Sequence, residues 1–323
     1  MSRSVLPFAV LLLVVSSLPL EGQLLEASRS GDLNAVQEMI IQGANVNEAR
    51  GDGITALHAA AERGHWDVTE RLLEAGAAVD PETRIGSYKP LHLAAQSAHL
   101  EVAEQLLAAG ADPNSVTTNS GVTPLHLAAT AIKGHATVAL LLTHGADPNI
   151  REVSSGQTPL MFAAAENRAA AISVLTRHGA DPSLQTKVVD VLYSLALDRA
   201  ASLQLQRTID SLQVAESGDR DWRPTPQQVT EAIRTQRAFV ESNPDVGPHD
   251  PVSLARVRPD FPGGPEVVRP PFTETLVGKT GGMTALLHAA REGNTEAAIA
   301  LLDSGADINQ VSGGDETSPL LIA

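Results

Sequence analysis

Cysteine is absent from the 323-residue sequence, and aromatic residues make up only 3% of it. Without cysteine the chain can form neither a disulfide framework nor a thiolate zinc site, and it has no cysteine nucleophile. Small-molecule pockets are commonly walled by aromatic side chains, so the low aromatic content disfavours a pocket of that kind. These two shortages exclude several classes of secreted scaffold and enzyme.

Basic residues are also scarce, because 23 lysines and arginines stand against 38 aspartates and glutamates and the formal net charge is −15. A protein that binds nucleic acid needs a cationic face to neutralise phosphates, so we expect no nucleic-acid partner. A partner of opposite charge would instead offer a basic patch and would bind more weakly at high salt.

Residues 1–22 have the three-part pattern of a secretory signal peptide. Arg3 supplies the positive charge, residues 5–15 are almost wholly apolar, and Ser16, Ser17 and Gly22 are small residues suited to cleavage. The alternative is a membrane anchor, but the apolar run is short for a hydrocarbon core about 30 Å thick. We therefore expect the mature chain to be exported, periplasmic or secreted, with no stable membrane insertion after cleavage.

A four-residue motif recurs along the chain at nearly constant spacing. Its copies begin at Thr55, Lys89, Thr123, Thr158 and Thr284, with steps of 34, 34, 35 and 126 residues. A turn glycine keeps the same spacing, at Gly43, Gly76, Gly110, Gly145, Gly179 and Gly305. Two landmarks in phase indicate an internal repeat.

Each cycle predicts two short helices followed by an extended turn. The threonine suits a helix N-cap, and the proline or alanine after it suits the first helical position. A glycine such as Gly64 ends the first helix, and paired leucines such as Leu72-Leu73 give the second helix an apolar face. Because one such unit cannot bury its own apolar face, neighbouring units must stack.

Residues 123–129 (TPLHLAA) and 145–149 (GADPN) resemble the signature and the terminal turn of ankyrin repeats. The resemblance implies an all-α fold, an ankyrin-repeat solenoid of helix–turn–helix units with hairpin loops, here in an exported bacterial protein. We assign a cap plus four repeats to 23–186, and repeat five plus the start of a truncated further repeat to 281–323. Since the second helix of that further repeat is missing, we interpret the sequence as a fragment of a longer product.

Residues 187–280 form an insertion, because Gly179 and Gly305 are about 92 residues farther apart than the period allows. Apolar spacing predicts helices at about 187–214 and 225–241, whereas the prolines that crowd 243–272 predict irregular chain there. Two arrangements stay open: repeat five stacks on repeat four, or the repeats form two separate blocks. A loop-closure cost of about 3 kcal/mol is smaller than the free energy gained by burying several aliphatic side chains, which favours stacking.

The ten histidines do not indicate a metal site, because they recur at fixed places in the repeats without the spacing of a zinc motif. The resemblance implies that the motif histidines, such as His58 and His126, bond the backbone between units. Gly278-Lys279-Thr280 ends like a phosphate-binding loop, but Thr273 stands where that motif needs glycine. We expect no cofactor, no metal ion and no catalytic residue.

The remaining candidate is a binding surface. In this architecture the variable positions lie at the hairpin tips and on the exposed side of the first helices, and together they line a concave groove. We predict a non-catalytic scaffold that binds a protein partner through this groove. The predicted contact residues are Ile54, Glu62, Arg63, Tyr88, Gln96, Ser97, Asn119, Thr130, Lys133, Gln157, Glu166, Asn167 and Arg168.

Two other functions stay open. The repeats could position a catalytic or envelope-anchoring module that lies in the insertion or beyond the C-terminus. They could also form a structural spacer in the cell envelope that has no specific partner. The fold is reused for many purposes, so it does not decide among these functions.

Overall fold

The computed structural model describes residues 20–216, 222–242 and 279–323. Most of the expected signal peptide and the proline-rich stretch at 243–272 therefore lie outside the described residues. The chain forms two compact units. Unit one comprises the residues up to Lys187, Met283–Ser312 and Thr317–Ala323, and unit two comprises Val188–Gly282 and Gly313–Glu316.

Unit one is a succession of short helices taken in pairs. The cap contains α1 and α2, repeats one to four contain α3 to α10, repeat five contains α13 and α14, and α15 opens a further repeat. Their bounds are α1 Leu20–Ser30, α2 Leu33–Ile41, α3 Ala56–Arg63, α4 Trp66–Glu74, α5 Pro90–Gln96, α6 Leu100–Ala108, α7 Pro124–Thr130, α8 His135–Thr143, α9 Pro159–Ala165, α10 Ala169–Arg177, α13 Ala285–Arg291, α14 Thr295–Asp303 and α15 Pro319–Ile322.

The first helix of each repeat begins as the sequence predicts. Thr55 is the N-cap of α3, and its hydroxyl accepts the backbone N–H of His58. Proline occupies the first turn of α5, α7 and α9, where its missing N–H costs nothing. The α3 helix ends at Gly64, whose φ of 77° is the left-handed conformation that suits glycine.

The core of unit one is one continuous cluster that runs from Leu24 to Leu301. Leucines at one position of the motif lie buried in every repeat, at Leu57, Leu91, Leu125, Leu160 and Leu286. Buried alanines beside them let adjacent first helices pack closely, and α3, α5, α7 and α9 contact one another in turn. Each repeat is therefore buried by its neighbours.

Repeat five stacks on repeat four, because α13 contacts α9 and α14 contacts α10. Of the two arrangements left open by the sequence, the structure has the continuous row. At the other end, α1 contacts α3, and Leu24 of α1 belongs to the same buried cluster as Leu57 of repeat one. The last residues of the expected signal peptide, Leu20 to Gly22, are the first turn of α1.

Repeat three spans 35 residues from Thr123 to Thr158, one more than each of the two repeats before it. Its first helix is not longer, because α7 ends at Thr130 like its counterparts. Ala131 then leaves the helix with ψ at 140°, so the additional length lies in the loop. Glycine is needed at Gly134 for space, since a Cβ there would lie 1.9 Å from the carbonyl oxygen of Ala128.

Unit two contains a short ribbon and a pair of helices. Strand β1 (Val188–Asp190) pairs antiparallel with β2 (Lys279–Gly281), with Val188 opposite Gly281. Helix α11 (Val191–Glu216) packs against α12 (Pro226–Glu241), which is capped by Thr225. The first of these helices was expected from residue 187, but it begins four residues later because residues 188–190 pair as a strand. Within the described ranges no helix is both long enough and apolar enough to cross a membrane.

Candidate binding surface

The predicted contact residues fall on two edges of unit one. Ile54, Tyr88, Asn119 and Gln157 belong to the hairpins at 50–54, 83–88, 117–122 and 152–157, which we call the tip row. The other predicted residues lie where the first helices end or in the loops that follow, and we call these positions the loop row: Glu62, Arg63, Gln96, Ser97, Thr130, Lys133, Glu166, Asn167 and Arg168. A helix of seven or eight residues, about 11 Å long, separates the two rows.

A pair of hydrogen bonds closes each hairpin after the first, and we call this pair the hairpin lock. In one hairpin the N–H of Thr83 donates to the carbonyl of Tyr88 at 3.0 Å, and the N–H of Tyr88 donates to the Thr83 hydroxyl at 2.9 Å. Thr117 and Val122 form the same pair of bonds at 3.0 and 3.1 Å. The lock fixes the backbone on which Tyr88 and Asn119 stand.

The hairpin of repeat four uses a carboxylate for the same purpose. Glu152 is buried, and its side chain accepts the N–H groups of Ser154, Ser155 and Gln157 at 2.6, 2.6 and 3.0 Å. Burial raises the pKa of Glu152, but these backbone hydrogen bonds outweigh burial and leave the pKa below its ordinary value. Glu152 therefore remains charged and orders the tip that carries Val153.

Neighbouring tips are also bonded to one another through their backbones. The N–H of Arg84 donates to Asp52, that of Thr118 donates to Gly86, and that of Val153 donates to Ser120. Two apolar side chains of these tips face solvent, because Ile85 is 82% exposed and Val153 is 67% exposed. The tip row thus presents apolar side chains on a backbone that is fixed by the hairpin locks and by hydrogen bonds to the neighbouring tips.

Two of the motif histidines, His58 and His126, support the tip row from the interior, as the family resemblance implied. The Thr55 N–H donates to Nδ1 of His58, so Nε2 carries the proton and lies 3.0 Å from the carbonyl of Tyr88. Nε2 of His126 lies 3.2 Å from the carbonyl of Gln157 in the same way. Burial lowers the pKa of His126 to about 4, so the ring is neutral at neutral pH and acts as a structural hydrogen-bond donor.

Three of the predicted loop-row residues are engaged by other parts of unit one. Arg168 donates from Nε to the carbonyl of Thr130 at 2.7 Å, and the Thr130 hydroxyl donates to Leu127. The side-chain oxygen of Asn167 accepts the N–H of Ala297, and this bond satisfies a backbone donor in the first turn of α14 in repeat five. The Arg168 and Asn167 side chains and the Thr130 carbonyl therefore hold neighbouring repeats together. The other loop-row residues are exposed: Glu62, Arg63, Gln96, Ser97, Lys133 and Glu166.

The loop row borders a hollow of about 180 Å³ lined in part by Ile132, His135, Arg168 and Glu296. Pockets for drug-sized ligands occupy roughly 300–1,000 Å³, so this hollow suits a side chain of a partner better than a small molecule. Across the described ranges, histidines and carboxylates form no group of three that could hold a metal ion.

The residues that form the locks were not identified from the sequence. They are Thr83, Thr117, Glu152, Thr186 and Ser312. The first four follow one another at steps of 34, 35 and 34 residues, which is the period of the motif itself. This periodicity was available as a signal, but serine, threonine and glutamate are common enough in turns to conceal it.

Comparison with known proteins gives two family matches and short stretches of similarity. The family model for ankyrin repeats in three copies matches residues 24–117 and 110–186, and the model for a single ankyrin repeat matches residues 281–313. Serine/threonine-protein kinase 12 of Arabidopsis thaliana is 42% identical over 65 residues, which are 20% of this chain and 14% of that protein. Ankyrin repeat domain-containing protein 39 of Homo sapiens is 39% identical over 57 residues, which are 18% of this chain and 31% of that protein. The chain therefore matches less than a third of either relative.

Proposed function

Because the chain belongs to the ankyrin-repeat family, whose repeats form protein-interaction scaffolds, we propose that it is a non-catalytic scaffold that binds a protein partner through the tip row. The exposed residues of the loop row extend the contact surface. The kinase named among its relatives shares too short a segment with this chain to carry a catalytic activity over to it.

The observation that carries this proposal is the exposure of Ile85 and Val153 on hairpins that are already ordered. Exposed apolar side chains favour association because a partner removes them from water. Ordering flexible loops is a major cost of binding, and the locks and tip-to-tip bonds reduce that cost in advance. Rigid apolar tips therefore suit recognition of a protein surface.

The chemistry of the partner follows from charge. The chain has a formal net charge of −15, so a partner with a basic face gains long-range attraction in addition to apolar contact. We expect the association rate to fall as salt is added, because exposed charges are screened over about 8–10 Å at physiological ionic strength.

We also propose that the protein is exported and acts in the periplasm or outside the cell. The support is the pattern of residues 1–22. Cleavage after Gly22 would leave the buried pair Leu24 and Leu25 in α1, so the cap would keep its contacts with repeat one. The N-terminal residue of the protein isolated from each cell fraction tests this proposal, and an intact Met1 in every fraction would contradict it.

The test of partner binding is crosslinking and capture from the native compartment with two matched variants. Ile85→Ser combined with Val153→Ser removes the exposed apolar tips, and we expect at least tenfold weaker capture of the partner. Ile41→Ser is the control, because Ile41 is 80% exposed on α2 and outside the tip row. Equal loss in both variants, or no loss in either, would overturn the assignment to the tip row.

The loop row is tested separately. Alanine at Arg63, Gln96 and Lys133 removes exposed side chains, so the melting temperature should stay nearly unchanged. If these residues extend the contact surface, partner affinity falls. If affinity is unchanged, the partner uses the tip row without the loop row.

A further inference from the structure

The insertion begins and ends at a hairpin lock. Thr186 donates its N–H to the carbonyl of Met283 at 3.0 Å, and the N–H of Met283 donates to the Thr186 hydroxyl at 2.9 Å. These are the bonds that close the ordinary tips. The difference is the intervening chain, because the locked residues are 97 apart here and 5 apart in the hairpin that starts at Thr83.

The lock lies between repeats four and five, and the other hydrogen bonds between these two repeats also join residues that are far apart in the sequence. Asn294 donates to the carbonyls of Ala164 and Ala165, and Gln185 donates to the carbonyl of Val311. Gln310 donates in the reverse direction, to the carbonyl of Ser183. In the other repeats a short covalent turn keeps neighbours together even when such bonds break, and here no short turn does so.

Chain entropy sets the size of this difference. The probability that two chain ends meet falls as the three-halves power of the loop length. For a fully flexible connection of 97 residues in place of 5, that probability would fall about 80-fold once the lock and the β1–β2 ribbon at the base of the insertion are open. Helices α11 and α12 pack against each other within the connection, so this factor is an upper bound. Closure of the base therefore decides how strongly repeat five is held on repeat four.

We propose that the Thr186–Met283 lock is a latch that controls the docking of repeat five. When the two ends of the insertion separate, repeat five leaves repeat four as a unit and uncovers α9 and α10. When the ends are held together, the insertion behaves as an ordinary tip and the row stays closed. Any ligand of the insertion that spreads or clamps its ends would thus change the interface between repeats four and five, independently of binding at the tip row.

Native-state hydrogen exchange on the full chain tests the latch. Thr186→Val removes the hydroxyl that accepts the Met283 N–H, and we expect amide exchange in α13 and α14 to accelerate about 5- to 100-fold. Thr117→Val is the matched control, because it removes the same bond from a hairpin with a short turn, and α7 and α8 should change much less. Thr186→Ser keeps the hydroxyl and should restore slow exchange.

A reversible crosslink gives the opposite perturbation. The chain has no cysteine, so Val189→Cys with Thr280→Cys places a single pair across the β1–β2 ribbon. Directly opposed strand residues lie at Cα distances compatible with a disulfide. We expect oxidation to slow exchange in α13 and α14 and reduction to restore the unmodified rate, with both single-cysteine variants unaffected.

Two results would overturn the proposal. One is a rate of amide exchange in α13 and α14 that is the same whether the engineered disulfide is oxidised or reduced. The other is a Thr186→Val effect no larger than that of Thr117→Val at its own repeat. Neither result would bear on partner binding, which is measured with separate variants.

Discussion

At the residue scale, one hairpin departs from the others at two positions that contact each other. Asn47, Asn114 and Asn149 donate their side-chain amides to the carbonyls of Gly76, Gly145 and Gly179. Asp80 occupies the corresponding place in repeat one and has no amide to donate. Its Oδ1 is buried without a partner, while its Oδ2 lies 3.4 Å from the ammonium of Lys89, which replaces the capping threonine.

We expect the pair Asp80→Asn and Lys89→Thr to be more stable together than the unmodified chain, by about 1 kcal/mol in the free energy of unfolding. The amide gains a hydrogen bond to the following turn, and the threonine restores an N-cap. Either single change leaves the other charge half-buried without its partner, so each should be less stable than the pair. A double-mutant cycle by urea denaturation measures this coupling, and strictly additive single effects would contradict it.

A second residue-scale prediction concerns pH. Burial lowers the pKa of His92, His126 and His288 to about 4 from the ordinary histidine value of 6.5, with Arg291 further lowering that of His288. Between pH 6.5 and 4 the unfolded chain therefore binds more protons than the folded chain, so stability falls as the pH falls through this window and levels off below it. The slope approaches about 1.4 kcal/mol per pH unit for each such histidine.

His126→Gln keeps a donor for the Gln157 carbonyl and removes one titrating group, so the dependence of stability on pH should become shallower between pH 6.5 and 4. Thr143→Gln is the control, because it introduces the same side chain at an exposed position of α8 and changes no titratable group. The measurement is denaturant unfolding at a series of pH values. Identical slopes for both variants would show that His126 does not titrate differently on unfolding.

At the scale of the element, several first helices are followed by the same left-handed turn, although the residue at that position differs between repeats. Gly64 and Gly293 end two of these helices with φ at 77° and 68°. Ala98 and Asn167 take the corresponding place in other repeats with φ at 56°, a left-handed conformation that alanine adopts at a cost of about 1 kcal/mol. The stacking of neighbours imposes the turn even where the residue does not favour it.

Ala98→Gly should therefore stabilise the protein, by about 1 kcal/mol, since glycine relieves the strain at this φ. The matched control is Ala109→Gly, because Ala109 is an exposed residue at the end of α6 with φ at −79°. There glycine only adds freedom to the unfolded chain, and we expect a loss of about 0.5 kcal/mol. Thermal and urea unfolding compare the two, and the same sign of change in both would refute the explanation by backbone strain.

At the scale of the whole molecule, the row of repeats accepts a long insertion because the two ends of a hairpin tip already lie together. Gly282 has a φ of 66°, close to the 71° of Gly156, and each precedes the residue that completes a lock. Inserted chain at this position leaves the buried faces of α9 and α13 in contact. The same length inside a helix would have separated them.

Replacement of residues 188–281 by two serines should leave a folded row. The shortened hairpin would run Lys187-Ser-Ser-Gly282, which parallels the existing tip Val153-Ser154-Ser155-Gly156. We expect undiminished helical signal for the repeats and slower amide exchange in repeat five, because its connection becomes short. A collapse of the helical signal from repeat five would show that the insertion is needed for its folding.

The sequence alone determined the period, the family and the beginnings of the first helices, because these depend on residues within one repeat. It also pointed to the two edges of unit one on which Tyr88 and Lys133 lie. Tertiary structure decided that Thr186 bonds Met283 and that Asn167 and Arg168 hold neighbouring repeats. Local patterns carry no record of which distant groups meet, since that depends on burying apolar faces between repeats and on closing the chain between them.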